Sequence, residues 1–169
     1  MGETTHSLEI KENNKVRRAF TMVELVFVIV VIGILTAIAV PKFGATRDDA
    51  TLVKARTTVA SIRSAISTEI QKRQMAGDYS GINNLGGKKN EHDKPIFDYF
   101  DSNTSGSRIL EYPIRSCKSG SSKGCWMRTD ENTYRYYFSG SSDFVDFQVS
   151  NNRFDCVNPD SHQCAKLDR

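Results

Sequence analysis

The chain has 169 residues, a formal net charge of +3 and a mean hydropathy of −0.44. Charges of both signs are spread along it, which excludes the dense basic footprint of a dedicated nucleic-acid binder. Setting aside an N-terminal apolar run and the residues before it leaves about 130 residues, room for one small domain with a modest core.

From Phe20 to Val40, 21 residues carry a single charge, Glu24. As a helix rising about 1.5 Å per residue the run reaches roughly 30 Å, the thickness of a hydrocarbon core. Lys15, Arg17 and Arg18 lie just before it, and positive residues stay cytoplasmic, so everything after Pro41 is expected to be exported. An ordinary secretory signal is an alternative, because Ala37-Ile38-Ala39 resembles a small-residue cleavage site. Against it, the run is longer than a typical signal core and carries an acid near its start. A carboxylate at the bilayer centre costs about 2.5–3.5 kcal/mol, less near the interface, and tends to mark a functional contact with a specific cation.

Arg17-Arg18-Ala19, then Phe20-Thr21-Met22-Val23-Glu24 and an apolar stretch closed by Pro41, resembles the class III signal of type IV prepilins and type II secretion pseudopilins. The resemblance covers residues 15 to about 76. It implies cleavage by prepilin peptidase between Ala19 and Phe20, N-methylation of Phe20, and a leader of residues 1–19. It also puts Glu24 at the family's glutamate, fifth from the new terminus, with Gly33 and Pro41 where type IV pilins often have glycine and proline. Ala19 departs from the usual glycine before the cut. Cleavage would create an amine about 6 Å along a helix from Glu24, and in a staggered bundle of parallel helices the amine of one subunit can meet the carboxylate of another. Such pairing would set the axial register of subunits.

Glycine and proline are both poor inside a helix, so the segment from Gly33 to Pro41 is expected to be its soft part, although both residues are also simply common in membrane helices. Beyond Pro41, over residues 42–76, Leu52, Val59, Ile62, Ile66 and Ile70, with Ala55 and Ala65 beside them, recur at three- and four-residue spacing. This predicts one helix from about Phe20 to Ala76, its second half amphipathic and packed under a sheet. Gly77 and Asp78 end it, with Lys72 and Arg73 suiting the negative end of its dipole.

Residues 77–94 read as a connecting loop. Three runs then alternate in the manner of strands: 108–114 with Leu110, Tyr112 and Ile114 on one side, 134–138 with Tyr134, Tyr136 and Phe138, and 144–149 with Val145, Phe147 and Val149. SGSSD joins the last two as a hairpin, and Asn151-Asn152 leads to a final strand, 153–156. Strands after one long helix give an α+β domain with an antiparallel sheet, which is also the pilin layout. The four cysteines form two local pairs, CKSGSSKGC and CVNPDSHQC, spaced for disulfides more than for zinc, with free thiols the other reading. Of three connectivities the local one is expected, Cys117 with Cys125 and Cys156 with Cys164, stapling the C-terminal region, residues 77–169.

No nucleophile elbow, P-loop, dinucleotide fingerprint or metal-ligand motif is present, so no catalytic apparatus and no cofactor are expected. Two weaker features remain. Lys118, Lys123 and Arg128 with Trp126 could hold single-stranded nucleic acid, though a solvated loop around a packed tryptophan fits better. Asp155, Asn158 and Asp160 offer oxygens of the kind calcium takes, with turn chemistry as the plainer account. The resemblance implies a structural filament subunit of a type IV pilus, a type II secretion system or a DNA-uptake machine. Its partners would be other copies or paralogous pilin subunits, prepilin peptidase and an inner-membrane assembly platform. The precursor would sit in the inner membrane with its N-terminus cytoplasmic, and the mature subunit in a periplasmic or extracellular filament. The alternative is a membrane-anchored or secreted binding domain without a filament role.

Overall fold

The structure is a computed structural model and describes residues 20–168. The chain separates between Pro41 and Lys42 into two compact units, to which a single helix, α1 (Met22–Met75), contributes in turn.

In the N-terminal unit α1 is apolar on every face, and its side chains from Phe20 to Ile38 are exposed. A helix apolar all round needs an apolar surround, and Met22–Ala39 is long and apolar enough to cross a membrane. Its one internal hydroxyl is satisfied within the helix: Thr36 Oγ1 donates to the Ile32 carbonyl at 2.6 Å.

In the C-terminal unit the same helix becomes one-sided. Ala55, Val59, Ile62 and Ile66 are buried, with Leu52, Ala65 and Ile70 packed at the margin, as the spacing predicts. Each fully buried aliphatic side chain contributes about 1.5–3 kcal/mol. The helix ends in a Schellman turn: Gly77, at φ +77°, donates to Gln74 O at 3.0 Å, and Asp78 donates to Arg73 O at 2.8 Å. Just before that end Arg73 donates to Glu69 at 3.0 Å and to Asp101 at 2.9 Å, tying the following loop back to the helix. Burial alone would lower the Arg73 pKa, but these two carboxylates outweigh it and hold it above the ordinary value.

The stripe packs under four antiparallel strands in sequential order: β3 (Cys125–Arg128), β4 (Thr133–Tyr137), β5 (Phe144–Ser150) and β6 (Arg153–Cys156). Two further strands, β1 (Pro95–Ile96) and β2 (Ile114–Arg115), pair by themselves. Tyr134, Tyr136, Phe138, Val145, Phe147 and Val149 all point inward, following the predicted alternation. Asn151 and Asn152, both with positive φ, make the two-residue turn between β5 and β6. Phe97, Trp126, Tyr134, Phe147 and Phe154 form the aromatic centre, Phe97 meeting Trp126 edge-on at 5.5 Å between centroids. The outer edge of β3 is covered by chain, since Cys117 N donates to Trp126 O at 3.0 Å and Asn90 N to Arg128 O at 2.9 Å. A last helix, α2 (His162–Asp168), opens with Ser161 Oγ accepting from Cys164 N at 3.1 Å.

Two expectations need correction. The run 108–114 is not a strand. Only Ile114 pairs, with Ile96, and a single bridge joins Arg108 to Tyr99, while Tyr112 is 86% exposed and Ile109 is buried. Pro113 has no N–H to give a ladder, and β1 is too short to pair with more of the run. The segment 125–128, read as part of a basic loop, is instead β3.

Candidate processing and assembly site

Thr21 and Glu24 form the start of α1. Thr21 precedes the first helical residue, and its Oγ1 accepts from Glu24 N at 3.2 Å, while Thr21 N and Oγ1 both donate to Glu24 Oε2 at 3.4 Å. This is a reciprocal capping box, which satisfies two of the amides that every helix start leaves unpaired. Its bonds lie at or beyond the long end of the normal range, and Glu24 stays exposed, so the carboxylate is held loosely and remains open to a stronger cationic partner. The carboxylate also suits the positive end of the helix dipole. Thr21 had no place in the expectations from sequence, although Thr-x-x-Glu before an apolar run is itself a helix-start signal.

Phe20 is 79% exposed at the head of the helix; Ala19, on the other side of the expected cut, lies outside the described residues. Nothing comes within 4 Å of a Cβ placed on Gly33, and α1 continues through both Gly33 and Pro41.

Residues 14–40, which contain this helix start, match the prokaryotic N-terminal methylation motif. A protein of Thermus thermophilus described as the type IV narrow pilus major component PilA5 is 50% identical over 48 residues. That stretch is 28% of this chain and 41% of the Thermus protein, so the match spans well under two thirds of the relative's length. No solved structure matches the chain. The N-terminal segment is thus pilin-like, carrying a prepilin-type signal, and the C-terminal unit has an α+β architecture consistent with a pilin.

Both local disulfides are formed, Cys117 with Cys125 at 5.2 Å between Cα atoms and Cys156 with Cys164 at 6.1 Å. The first closes the loop before β3 and the second ties β6 to α2. Lys118, Lys123, Trp126 and Arg128 do not make one surface patch. Lys118 and Lys123 are exposed, the latter over the Tyr137 ring at 5.6 Å, whereas Trp126 is 2% exposed in the core. Arg128 is also buried, because its guanidinium is used to gather carbonyls: Gly87 O at 2.7 Å, Asp130 O at 3.1 Å and Glu131 O. Alternate residues of a strand point to opposite faces, so Trp126 and Arg128 share one face of β3 and Met127 lies on the other, and all three are buried.

Of Asp155, Asn158 and Asp160, Asp155 is already engaged by cations. Asp155 meets Arg63 at 3.3 Å and Arg153 at 2.7 Å, and the Asn158 carbonyl accepts from Ser161 Oγ at 2.8 Å. Among the described residues no group of three or more His, Cys, Asp or Glu side chains could hold a metal ion.

Proposed function

We propose that this chain is a structural, non-enzymatic subunit, a pilin or pseudopilin, of a filament assembled from the inner membrane. The supporting observation is the methylation motif, whose apolar run carries a lone acid, Glu24, at the fifth position of the mature chain. Prepilin peptidase cuts between Ala19 and Phe20, and the new amine of Phe20 is methylated. Before assembly Glu24 is occupied by its own helix start, through Thr21. On assembly the Phe20 amine of a neighbouring copy or paralogous subunit replaces those long, weak contacts with an ion pair in a low-dielectric bundle. The apolar half of α1 forms the filament core, and the disulfide-stapled sheet faces outward from the periplasmic or extracellular filament.

The intact mass of the protein extracted from membranes tests this reading. Loss of residues 1–19 with one added methyl group is the expected result. Loss of residues 1–39, or a chain of full length, refutes it.

A further inference from the structure

Asn103-Thr104-Ser105 is the one place in the chain where a hydroxyl residue stands two after an asparagine, the spacing of an N-glycan acceptor. Asp101 stands two before the same asparagine, which extends the motif to Asp-x-Asn-x-Ser, the five-residue form that glycan transfer in bacteria uses.

This segment is the tip of a loop closed at its root. Phe100 N donates to Ser107 O at 3.3 Å, Asn103 N to Phe100 O at 3.0 Å and Gly106 N to Asn103 O at 2.9 Å. Asp101 and Ser102, both with positive φ, bend the chain sharply where the tip begins. Ser102, Asn103, Thr104, Ser105 and Gly106 are all exposed. Asn103 Oδ1 accepts from Ser105 N at 3.1 Å, whereas Asn103 Nδ2 and the Ser105 hydroxyl have no hydrogen-bond partner among the described residues. The nitrogen that a sugar would occupy is therefore uncommitted. Asp101 differs, since its carboxylate accepts from Arg73 at 2.9 Å and from Asn83 N at 2.7 Å, fastening the root of the loop to α1 and to the preceding segment. An acid so engaged is closed to an enzyme, which puts any transfer on the exported chain before the loop folds against α1.

We infer that Asn103 is a site of N-linked glycosylation, its donor a glycan carried on a lipid pyrophosphate. The inference rests on the export of the C-terminal unit that the filament reading requires. Asn103 Nδ2 attacks the anomeric carbon of the first sugar and forms the N–C bond. The bond from that carbon to the pyrophosphate oxygen breaks, its electron pair leaves with the lipid pyrophosphate, and one Nδ2 proton passes to a base of the transferase. The product keeps Oδ1 and one N–H, so the contact with Ser105 N survives and the folded loop holds the glycan without losing a bond.

Protein from membranes of its native cells is digested with trypsin, and fragment 90–108, which contains the motif, is sequenced by electron-transfer fragmentation. A mass of whole sugar residues is expected on Asn103. Asn103→Gln and Ser105→Ala are expected to lose it completely and Ser105→Thr to keep it. Both positions are exposed, so unchanged melting curves check that the variants fold. N-terminal sequencing of the same sample tests the filament reading separately. A chain that starts at methylated Phe20 but carries a bare Asn103 overturns the inference and leaves the filament reading standing. A start at Met1 or Val40 with the sugar in place does the reverse. Sugar on a serine or threonine of the fragment instead of Asn103, or sugar retained in folded Ser105→Ala, also overturns the inference.

Discussion

Replacing Glu24 with glutamine separates the two roles the carboxylate has in the proposed life of the subunit. The side-chain amide keeps an oxygen for Thr21 N, so the capping contacts, already long at 3.4 Å, lose at most a few tenths of a kcal/mol. The charge that would meet a neighbour's amine is gone. Leaving one member of a desolvated ion pair unpartnered costs about 3–5 kcal/mol, and even the lower figure is a factor of roughly 150 in an equilibrium constant. Thr21→Ala is the complementary variant: it removes the hydroxyl of the cap, costing about 1 kcal/mol at the helix start, and leaves the charge in place. The assay is co-expression of variant and wild-type chains, with the isotope-coded ratio in sheared filaments compared with that in membranes. Glu24→Gln chains are expected to be processed normally and to be depleted from filaments by about two orders of magnitude, Thr21→Ala chains much less. Entry of Glu24→Gln chains into filaments at their membrane ratio refutes the ion-pair argument. Equal exclusion of the two variants also refutes it, because the helix cap would then account for the effect.

Tyr134 gives a stability prediction and its pH dependence. Its hydroxyl accepts from Leu85 N at 2.8 Å and donates to Gly86 O at 3.0 Å, so Tyr134→Phe leaves two buried backbone groups unpaired and is expected to cost about 1–3 kcal/mol by denaturant unfolding. Burial pushes the phenol pKa well above its ordinary value, so the folded state holds this proton more tightly than the unfolded chain does. The contribution is complete below about pH 10 and is lost as pH rises toward the folded pKa, and Tyr134→Phe should reduce the slope of stability against pH above about 10 by up to about one proton. For the first disulfide, a loop of sequence separation 8 gives about 2.5 kcal/mol of chain-entropy stabilisation, so Cys117→Ser with Cys125→Ser should lower the melting temperature by about 5–10 °C in calorimetry. Gly86 sits at φ +69°, and a Cβ there would fall on the Asp98 carboxylate and 2.7 Å from Tyr99 O, so Gly86→Ala is expected to destabilise by more than about 1 kcal/mol, a cost that Gly120→Ala, with open space around it, should not show.

The elements readable in the sequence were those with a repeating period. The stripe from Leu52 to Ile70 and the alternations at 134–138 and 144–149 are long enough for helix and strand periods to separate, and Gly77 and Asn151-Asn152 punctuate them with residues suited to positive φ. Segments of two to four residues carry no such period, and of these β6 was read only because the Asn151-Asn152 turn announces it. β3 escaped because Trp126, Met127 and Arg128 are all buried, so no polar face alternates with the apolar one, and the guanidinium of Arg128 is engaged in part by a carbonyl distant in sequence, Gly87 O. The run 108–114 misled for the opposite reason, since it alternates locally but finds no partner strand of matching length. The local disulfide pairing, chosen from three connectivities on cysteine spacing and the expected export of the region, is the one formed. At the candidate site Glu24 was visible as a lone charge, whereas Thr21 showed its part only once the helix start fell between it and Met22.

The wiring of the C-terminal unit also dictates an order of events in its biogenesis. Its central helix is made first, but the groups that cover it come from the far end of the chain: Arg56 donates to Lys166 O, 110 residues away, and Arg63 to Phe154 O, 91 residues away. Contacts of such separation close slowly, because chain entropy must be spent before they form. Until α2 emerges, the stripe of Ala55, Val59, Ile62 and Ile66 has no complete cover and the Cys156 thiol has no Cys164 to join. Exposed apolar surface of this kind attracts both aggregation and chaperones. A chain truncated anywhere before Cys164 should therefore be a substrate for quality control and not a shorter subunit, so the unit proofreads its own completeness at its last helix.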